Sequence, residues 1–210
     1  MVGSRSRPVR KRPTSYHHGD LRRALLQEAA RTIQTHGVER LTLRAVADRL
    51  GVSRTALYRH FADKSTLLAG VAAEGFRTLR TVLVAAWESA GQGLDGLDAM
   101  GIAYVRFAVT HPSHYRVMFG GFVDSGAKDP EFEHDAASAF DALVDALKAL
   151  QQGGLIRTDD LPQLARFVWA TVHGVAMLGI DGQLQHQDAD AIALAQFAVE
   201  RLRASLVASR

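Results

Sequence analysis

Residues 41–68, LTLRAVADRLGVSRTALYRHFADKSTLL, decide the fold. Thr42 offers an N-cap hydroxyl to a short apolar-periodic run from Leu43 to Leu50, and Gly51 ends that run because it takes a positive φ at no steric cost. Ser53 is placed to cap a second helix, Arg54 to His60, and Asp63 to cap a long one that starts at Lys64. Two short helices joined by a turn of about three residues make a helix-turn-helix. The packing requirements agree with that reading. Ala47 allows close approach, Gly51 makes the turn, and Val46, Leu50, Leu57 and Phe61 can share a core.

Upstream, Leu25, Leu26, Ala29, Ala30 and Ile33 recur at one-sided helical spacing between Asp20 and His36, with Gly37 at the cap position. Downstream, the Lys64 helix runs to about Ala90 and carries a broad stripe that includes Leu67, Leu68, Val71, Phe76, Leu79, Leu83 and Trp87. Gly91–Gly96 reads as a loop. Helices are then predicted over Leu97–Thr110, Ser113–Gly120, Pro130–Gln151, a segment opened by Asp160 and Pro162 that reaches Ile180, and Asp188–Ala208. Neither alternating strand patterns nor hairpin signals occur, so the sequence predicts an all-α fold of about nine helices. Its parts are a basic tail without apolar periodicity (1–15), a three-helix helix-turn-helix domain (16–64), and a C-terminal helical bundle (65–210).

Composition excludes several classes of function. The 210 residues are 47% hydrophobic and 22% charged, enough to bury a core, and contain no cysteine. Disulfide scaffolds, thiolate zinc sites, iron–sulfur clusters and cysteine nucleophiles are therefore out. No run of about 18 apolar residues follows the charged first residues, which predicts neither a signal peptide nor a membrane span, and a cytoplasmic protein. Charge is distributed unevenly. Residues 1–64 hold 14 Lys and Arg against 5 Asp and Glu, whereas residues 65–210 hold 11 against 17. A basic N-terminal part is the footprint of a polyanion binder, and an acidic remainder would be repelled by the same phosphates.

The stretch YHHGDLRRALLQEA (16–29), followed by residues 41–68, closely resembles the DNA-binding domain of the tetracycline-repressor (TetR) family of bacterial transcriptional regulators. The most specific part is Gly51-Val52-Ser53 followed by Leu57-Tyr58-Arg59-His60-Phe61 and Asp63-Lys64. Trp169, His173 and Gly174 in VWATVHGVAML resemble the Trp-His-Gly signature of one subgroup's ligand-binding domain, and His111-Pro112 with Tyr115 to Phe119 are similar to a second segment of it. The resemblance implies a homodimer, each subunit placing the Arg54–His60 helix in the major groove of a palindromic operator. It also implies a small-molecule site behind Ala90 whose occupancy alters the separation of the reading heads, and a dimer seam built from the last two helices.

Physical chemistry assigns roles on that scheme. Thr42 and Ser53 sit at positive helix ends that can meet phosphate oxygens, and Lys64 adds a point charge there. Tyr58 and His60 flank the groove, as the family uses them against the backbone. Base reading falls to Arg44, Arg54 and Thr55, since an arginine can grip guanine O6 and N7 and a threonine methyl can meet a thymine methyl. Arg59 suits either purpose. Two alternatives stay open: Tyr58 as a packing residue, and Arg44 paired with Asp48 one turn on. Candidate pocket residues are Tyr104, Phe107, His111, Tyr115, Met118, Phe119, Trp169, His173 and Met177, aromatic or soft side chains with a few polar tips; ordinary core is the competing reading. His173 stands out because a buried imidazole needs a partner.

His111 and His114 stand three apart, but Pro112 intervenes and no third ligand is near, so no metal is expected. Small residues, among them Ala170, Gly174, Ala176, Gly179, Ala195 and Ala198, with Leu202, suit a close-packed seam in the last two helices. No phosphate-binding glycine loop after a strand, no Gly-x-Ser-x-Gly elbow and no His-Glu-x-x-His occurs, so neither an enzyme nor a cofactor is expected. The expectation is a DNA-binding regulator, most simply a repressor, with operator DNA, an effector and a second copy as partners. The alternative is a helical scaffold that keeps the helix-turn-helix shape without reading DNA.

Overall fold

The computed structural model describes residues 18–123, 129–184 and 190–207, so the basic tail (1–15) lies outside the described residues. Among the described residues the chain is all-α, with nine helices and no strand: α1 (His18–His36), α2 (Leu43–Leu50), α3 (Arg54–Tyr58), α4 (Lys64–Ser89), α5 (Leu94–Thr110), α6 (Pro112–Phe119), α7 (Pro130–Gln152), α8 (Leu161–Ile180) and α9 (Ala191–Leu206). No helix among them is long and apolar enough to cross a membrane.

The N-terminal bundle follows from its caps. Thr42 Oγ1 accepts from the Ala45 amide at 3.2 Å and Ser53 Oγ from the Ala56 amide at 3.1 Å, satisfying N–H groups that have no helical carbonyl to bond. Gly51 closes α2 at φ +66°, a conformation that would strain a residue with a Cβ. Asp63 and Thr66 form a reciprocal capping box that starts α4. Leu25, Val46, Ala47, Leu57, Phe61 and Leu67, each at most 2% exposed, fill the space between these helices. Arg49 ties α2 to α1 by donating to Glu28 Oε1 at 3.2 Å and Thr32 Oγ1 at 3.0 Å.

Helix α4 joins this bundle to the rest of the molecule. Its first two turns bury Leu67, Leu68 and Val71 against α1, and its later turns bury Phe76, Leu79 and Leu83 among α5, α6 and α7. Helix α5 then packs on both α8 and α9. An ion-pair chain crosses from one part to the other. Arg22 of α1 donates to Glu131 of α7 at 2.7 Å, and Arg77 of α4 reaches both Glu131 and Asp135 of α7 at 2.7 Å.

Several helix boundaries differ from the sequence expectation. Helix α3 stops at Tyr58, and Arg59 and His60 continue as a turn whose amides reach Thr55 O and Leu57 O. Helix α5 starts at Leu94 because Gly96 is not a loop residue: it lies under Trp87, whose ring atom would stand 2.8 Å from an added Cβ. Helix α9 starts at Ala191 with Asp190 as its cap; the expected start at Asp188 lies outside the described residues. The small-residue seam also needs correction. Ala176, Ala195 and Leu202 are buried within the subunit, and Gly179 lies against Ala191 and Val109, so these residues pack α5, α8 and α9 together. Gly174 and Ala170 alone of that set face outward.

Candidate nucleic-acid interface and central cavity

Folding turns every apolar residue of the α2–α3 core inward and leaves one polar, cationic face. Thr42, Arg44, Ser53, Arg54, Thr55, Tyr58 and Arg59 are exposed on it, and His60 is half-buried beside them. Tyr58 is 55% exposed, which removes the packing alternative for that ring. Arg44 does pair with Asp48, at 3.6 Å, but both side chains are mostly in water, where such an i,i+4 pair stabilises by only about 0.3–0.5 kcal/mol and releases its guanidinium readily. Lys64 departs from its expected role as a free point charge. Its ammonium donates to Val38 O at 2.7 Å and Glu39 O at 3.4 Å, closing the α1–α2 connection onto α4. It is first a structural clamp, and only its third N–H is uncommitted.

The second site is a cavity of about 360 Å³ bounded by α4, α5, α6, α7, α8 and α9. Its wall is almost wholly apolar: Phe76, Leu79, Leu83, Met100, Phe140, Leu143, Val172 and Val199 contribute, and Asp98 and Arg166 are its charged members. Of the nine expected pocket residues, Tyr104, Phe119 and Trp169 line it. Tyr115 and His173 stand directly behind Tyr104 in a four-residue polar cluster. Trp169 Nε1 donates to Tyr104 Oη at 3.0 Å, Tyr115 Oη lies 2.9 Å from Tyr104 Oη, and His173 Nδ1 lies 2.6 Å from Tyr115 Oη and 3.0 Å from Tyr104 Oη.

Counting protons assigns the imidazole. The two hydroxyls and the indole carry three protons, and whichever hydroxyl serves His173, Nδ1 must accept, which places the proton of a neutral ring on Nε2. Burial agrees, pushing the His173 imidazole below its ordinary range. Burial also pushes the Tyr104 phenol up to about 12 and the Tyr115 phenol higher still, so both remain protonated donors. Asp98 is raised by burial, while Arg203, at 3.2 Å, opposes the shift.

The other expected pocket residues are elsewhere. The cavity opens on the first half of α5, where Leu97, Asp98, Met100, Gly101 and Tyr104 face it; Phe107 and His111 lie one and two turns further on. There they line a separate polar cleft against Gln27, Ala30, Arg31 and Gln34 of α1. Met118 is spent on α4, its sulfur packed over Gly75, and Met177 lies beyond the cavity, packed on the core one turn after His173. The wall residues of α4, α7 and α9 escaped the sequence reading because an apolar stripe that faces a cavity is spelled like one that faces core. Asp98 carried a readable signal, an acid inside the apolar run LDAMGIAYV.

Comparison with known proteins agrees with both parts. A family model for the tetracyclin repressor-like C-terminal domain matches residues 97–202, half of the chain, and one for bacterial regulatory proteins of the tetR family matches residues 25–71. The HTH-type transcriptional regulator Rv1816 of Mycobacterium tuberculosis is 26% identical over 141 residues, covering 65% of this chain and 60% of that protein; the match therefore spans less than two thirds of the relative's length. A solved structure of a protein with unknown function from Rhodococcus sp. RHA1 superposes with a TM-score of 0.83 at 32% identity, covering 93% of this chain and all of that one. The TetR family transcriptional regulator PfmR from Thermus thermophilus shares the fold, with a TM-score of 0.68 at 21% identity over 89% of this chain and 99% of its own. A helix-turn-helix with its polar face outward, joined by α4 to a hollow helical bundle and matched by both family models, establishes that this chain belongs to the tetR family of bacterial regulatory proteins.

Proposed function

We propose that the protein is a ligand-responsive regulator of transcription that binds a palindromic operator as a homodimer and represses by occupying it. The observation that carries this reading is the α2–α3 face, where Arg44, Arg54, Thr55, Tyr58 and Arg59 are all exposed on a segment with a net charge of +9. Helix α3 enters the major groove; Arg54 and Thr55 at its start, with Arg44 from α2, reach base edges, while Tyr58, His60 and the capping hydroxyls of Thr42 and Ser53 hold phosphates. The basic tail adds sequence-blind attraction.

Dimerisation falls to the outer faces of α8 and α9. Phe167, Ala170, Gly174 and Leu178 recur at three- and four-residue spacing along α8, with Phe167 52% and Leu178 44% exposed. Nothing lies within 4 Å of where a Cβ on Gly174 would stand, which leaves room for a second helix to approach closely. Phe197 of α9 is 52% exposed, with Arg201 over its ring. Exposed aromatic and aliphatic residues on two adjacent helices suit a four-helix seam between two copies.

The cavity is the effector site, and α7 carries its state to the reading head. Ala136, Ala139, Phe140 and Leu143 of α7 line the cavity, and Glu131 at the start of the same helix holds Arg22 of α1, whose guanidinium also lies over the Phe61 ring. A ligand that displaces α7 therefore acts on the helix against which α2 is packed, and α3 packs on α2 in turn.

The test is a titration of the purified protein against the DNA beside its own gene, at about 0.15 M salt with excess competitor DNA, where sequence-blind attraction fades. Binding at about 10 nM or tighter over a palindromic site is expected. Weak, salt-sensitive and sequence-blind binding to that DNA and to a randomised operator library would favour the scaffold alternative.

A further inference from the structure

We propose that the effector is an elongated apolar molecule ending in a carboxylate, with its chain in the cavity and its head group on Arg166. This rests on the reading of the cavity as the effector site and follows from how its polar groups are already spent. Tyr104 Oη sits within hydrogen-bond distance of Trp169 Nε1, Tyr115 Oη and His173 Nδ1, a full complement for a hydroxyl. A polar atom in the middle of a ligand would give up its water there and find no free partner. The body of the ligand must therefore be hydrocarbon.

Two charged side chains belong to the wall, and they differ in commitment. Asp98 is half-buried and faces Arg203 Nη1 at 3.2 Å, and Arg203 also grips Asp95. A cationic ligand would have to displace that guanidinium. Arg166 makes no ion pair or hydrogen bond among the described residues, and it is exposed to water while also belonging to the cavity wall. It lies three residues before Trp169 and six before Val172 on α8, and all three line the cavity. A carboxylate matches the guanidinium fork with two charge-assisted hydrogen bonds, and it can stay hydrated on its outer side. At roughly 30 Å³ for a methylene-sized group, about a dozen carbons fill 360 Å³.

The experiment uses the full-length protein and the neutral environment-sensitive dye N-phenyl-1-naphthylamine, displaced in turn by dodecanoate, 1-dodecanol and dodecylamine below their micellar concentrations. Dodecanoate should displace the dye at about tenfold lower concentration than dodecanol. Shortening the acid should weaken it by about threefold to fourfold per methylene. Arg166→Gln should bring dodecanoate to the level of dodecanol, and Arg166→Lys should restore part of the difference. If dye and dodecanol bind but dodecanoate has no advantage, or dodecylamine binds tightest, the carboxylate assignment is wrong and the cavity stands as an effector site. If neither dye nor dodecanol enters, the effector-site reading falls with it.

Discussion

Replacing Tyr115 by Phe tests the proton assignment in the cluster behind the cavity wall. The Tyr115 ring is fully buried and keeps its contacts in the variant: edge-to-face with Tyr104 at 5.9 Å, stacked on His173 at 5.6 Å and beside Phe119 at 4.8 Å. One hydroxyl is lost. Afterwards Trp169 still donates to Tyr104 Oη and Tyr104 still donates to His173 Nδ1 at 3.0 Å, so no buried polar atom is stranded. The cost should be that of one hydrogen bond, about 1 kcal/mol. Tyr104→Phe removes a group from the same cluster with a different result. The Trp169 N–H then loses its acceptor while Tyr115 still serves His173, and stranding the indole raises the cost to about 2 kcal/mol. In the double variant both Trp169 Nε1 and His173 Nδ1 are left unpaired, so the loss should exceed the sum of the single losses by about 1 kcal/mol. Urea unfolding at one fixed protein concentration, with m unchanged, measures all three, and Trp169 emission should respond to Tyr104→Phe more than to Tyr115→Phe. A Tyr115→Phe loss above about 3 kcal/mol, or additive losses in the double variant, would refute the assignment.

Tyr58→Ala should leave thermal stability within about 0.5 kcal/mol, because that side chain is more than half exposed, and weaken binding to all DNA sequences alike by a similar factor; a loss confined to one sequence would mean that Tyr58 reads bases. Leu178→Asp should yield a folded protein of monomeric mass in sedimentation, since its exposed side chain costs the subunit little and a charge at the seam must be desolvated on pairing; an intact dimer would place the seam elsewhere. Glu131→Gln weakens the acceptor for both Arg22 and Arg77 at a partly exposed site, so stability should change by less than about 1 kcal/mol while the effector's influence on operator affinity shrinks; an undiminished influence would exclude α7 as the carrier. Burial lowers the folded-state pKa of His173 and His114, so the stability these neutral rings allow is complete above their unfolded value of about 6.5 and is lost as pH falls from there through their lower folded-state values. Unfolding midpoints between pH 8 and pH 5 should drop accordingly, and His173→Gln should flatten the drop.

The helix-turn-helix was legible in the sequence because its determinants are local. Thr42, Ser53 and Asp63 act on amides three residues away, Gly51 answers a demand of its own φ, and the apolar spacing of α1 and α2 repeats within a few turns, so adjacent residues suffice to define them. The charge difference between the two parts needed only counting. The cavity was not legible to the same degree, because whether Phe76, Phe140 or Leu143 meets a neighbour or a void depends on where five other helices run. Tertiary structure likewise decided that Tyr104, Tyr115, Trp169 and His173, drawn from three helices, converge on one set of hydrogen bonds, while His111, which caps the end of α5 two turns after Tyr104, falls into another cleft. It also tied Lys64 to the carbonyls of Val38 and Glu39, and buried Ala176, Ala195 and Leu202 in the core of the subunit. Caps and periodicities are set by bonds that span one turn; a cavity, a clamp or a seam is set by what the other helices leave uncovered.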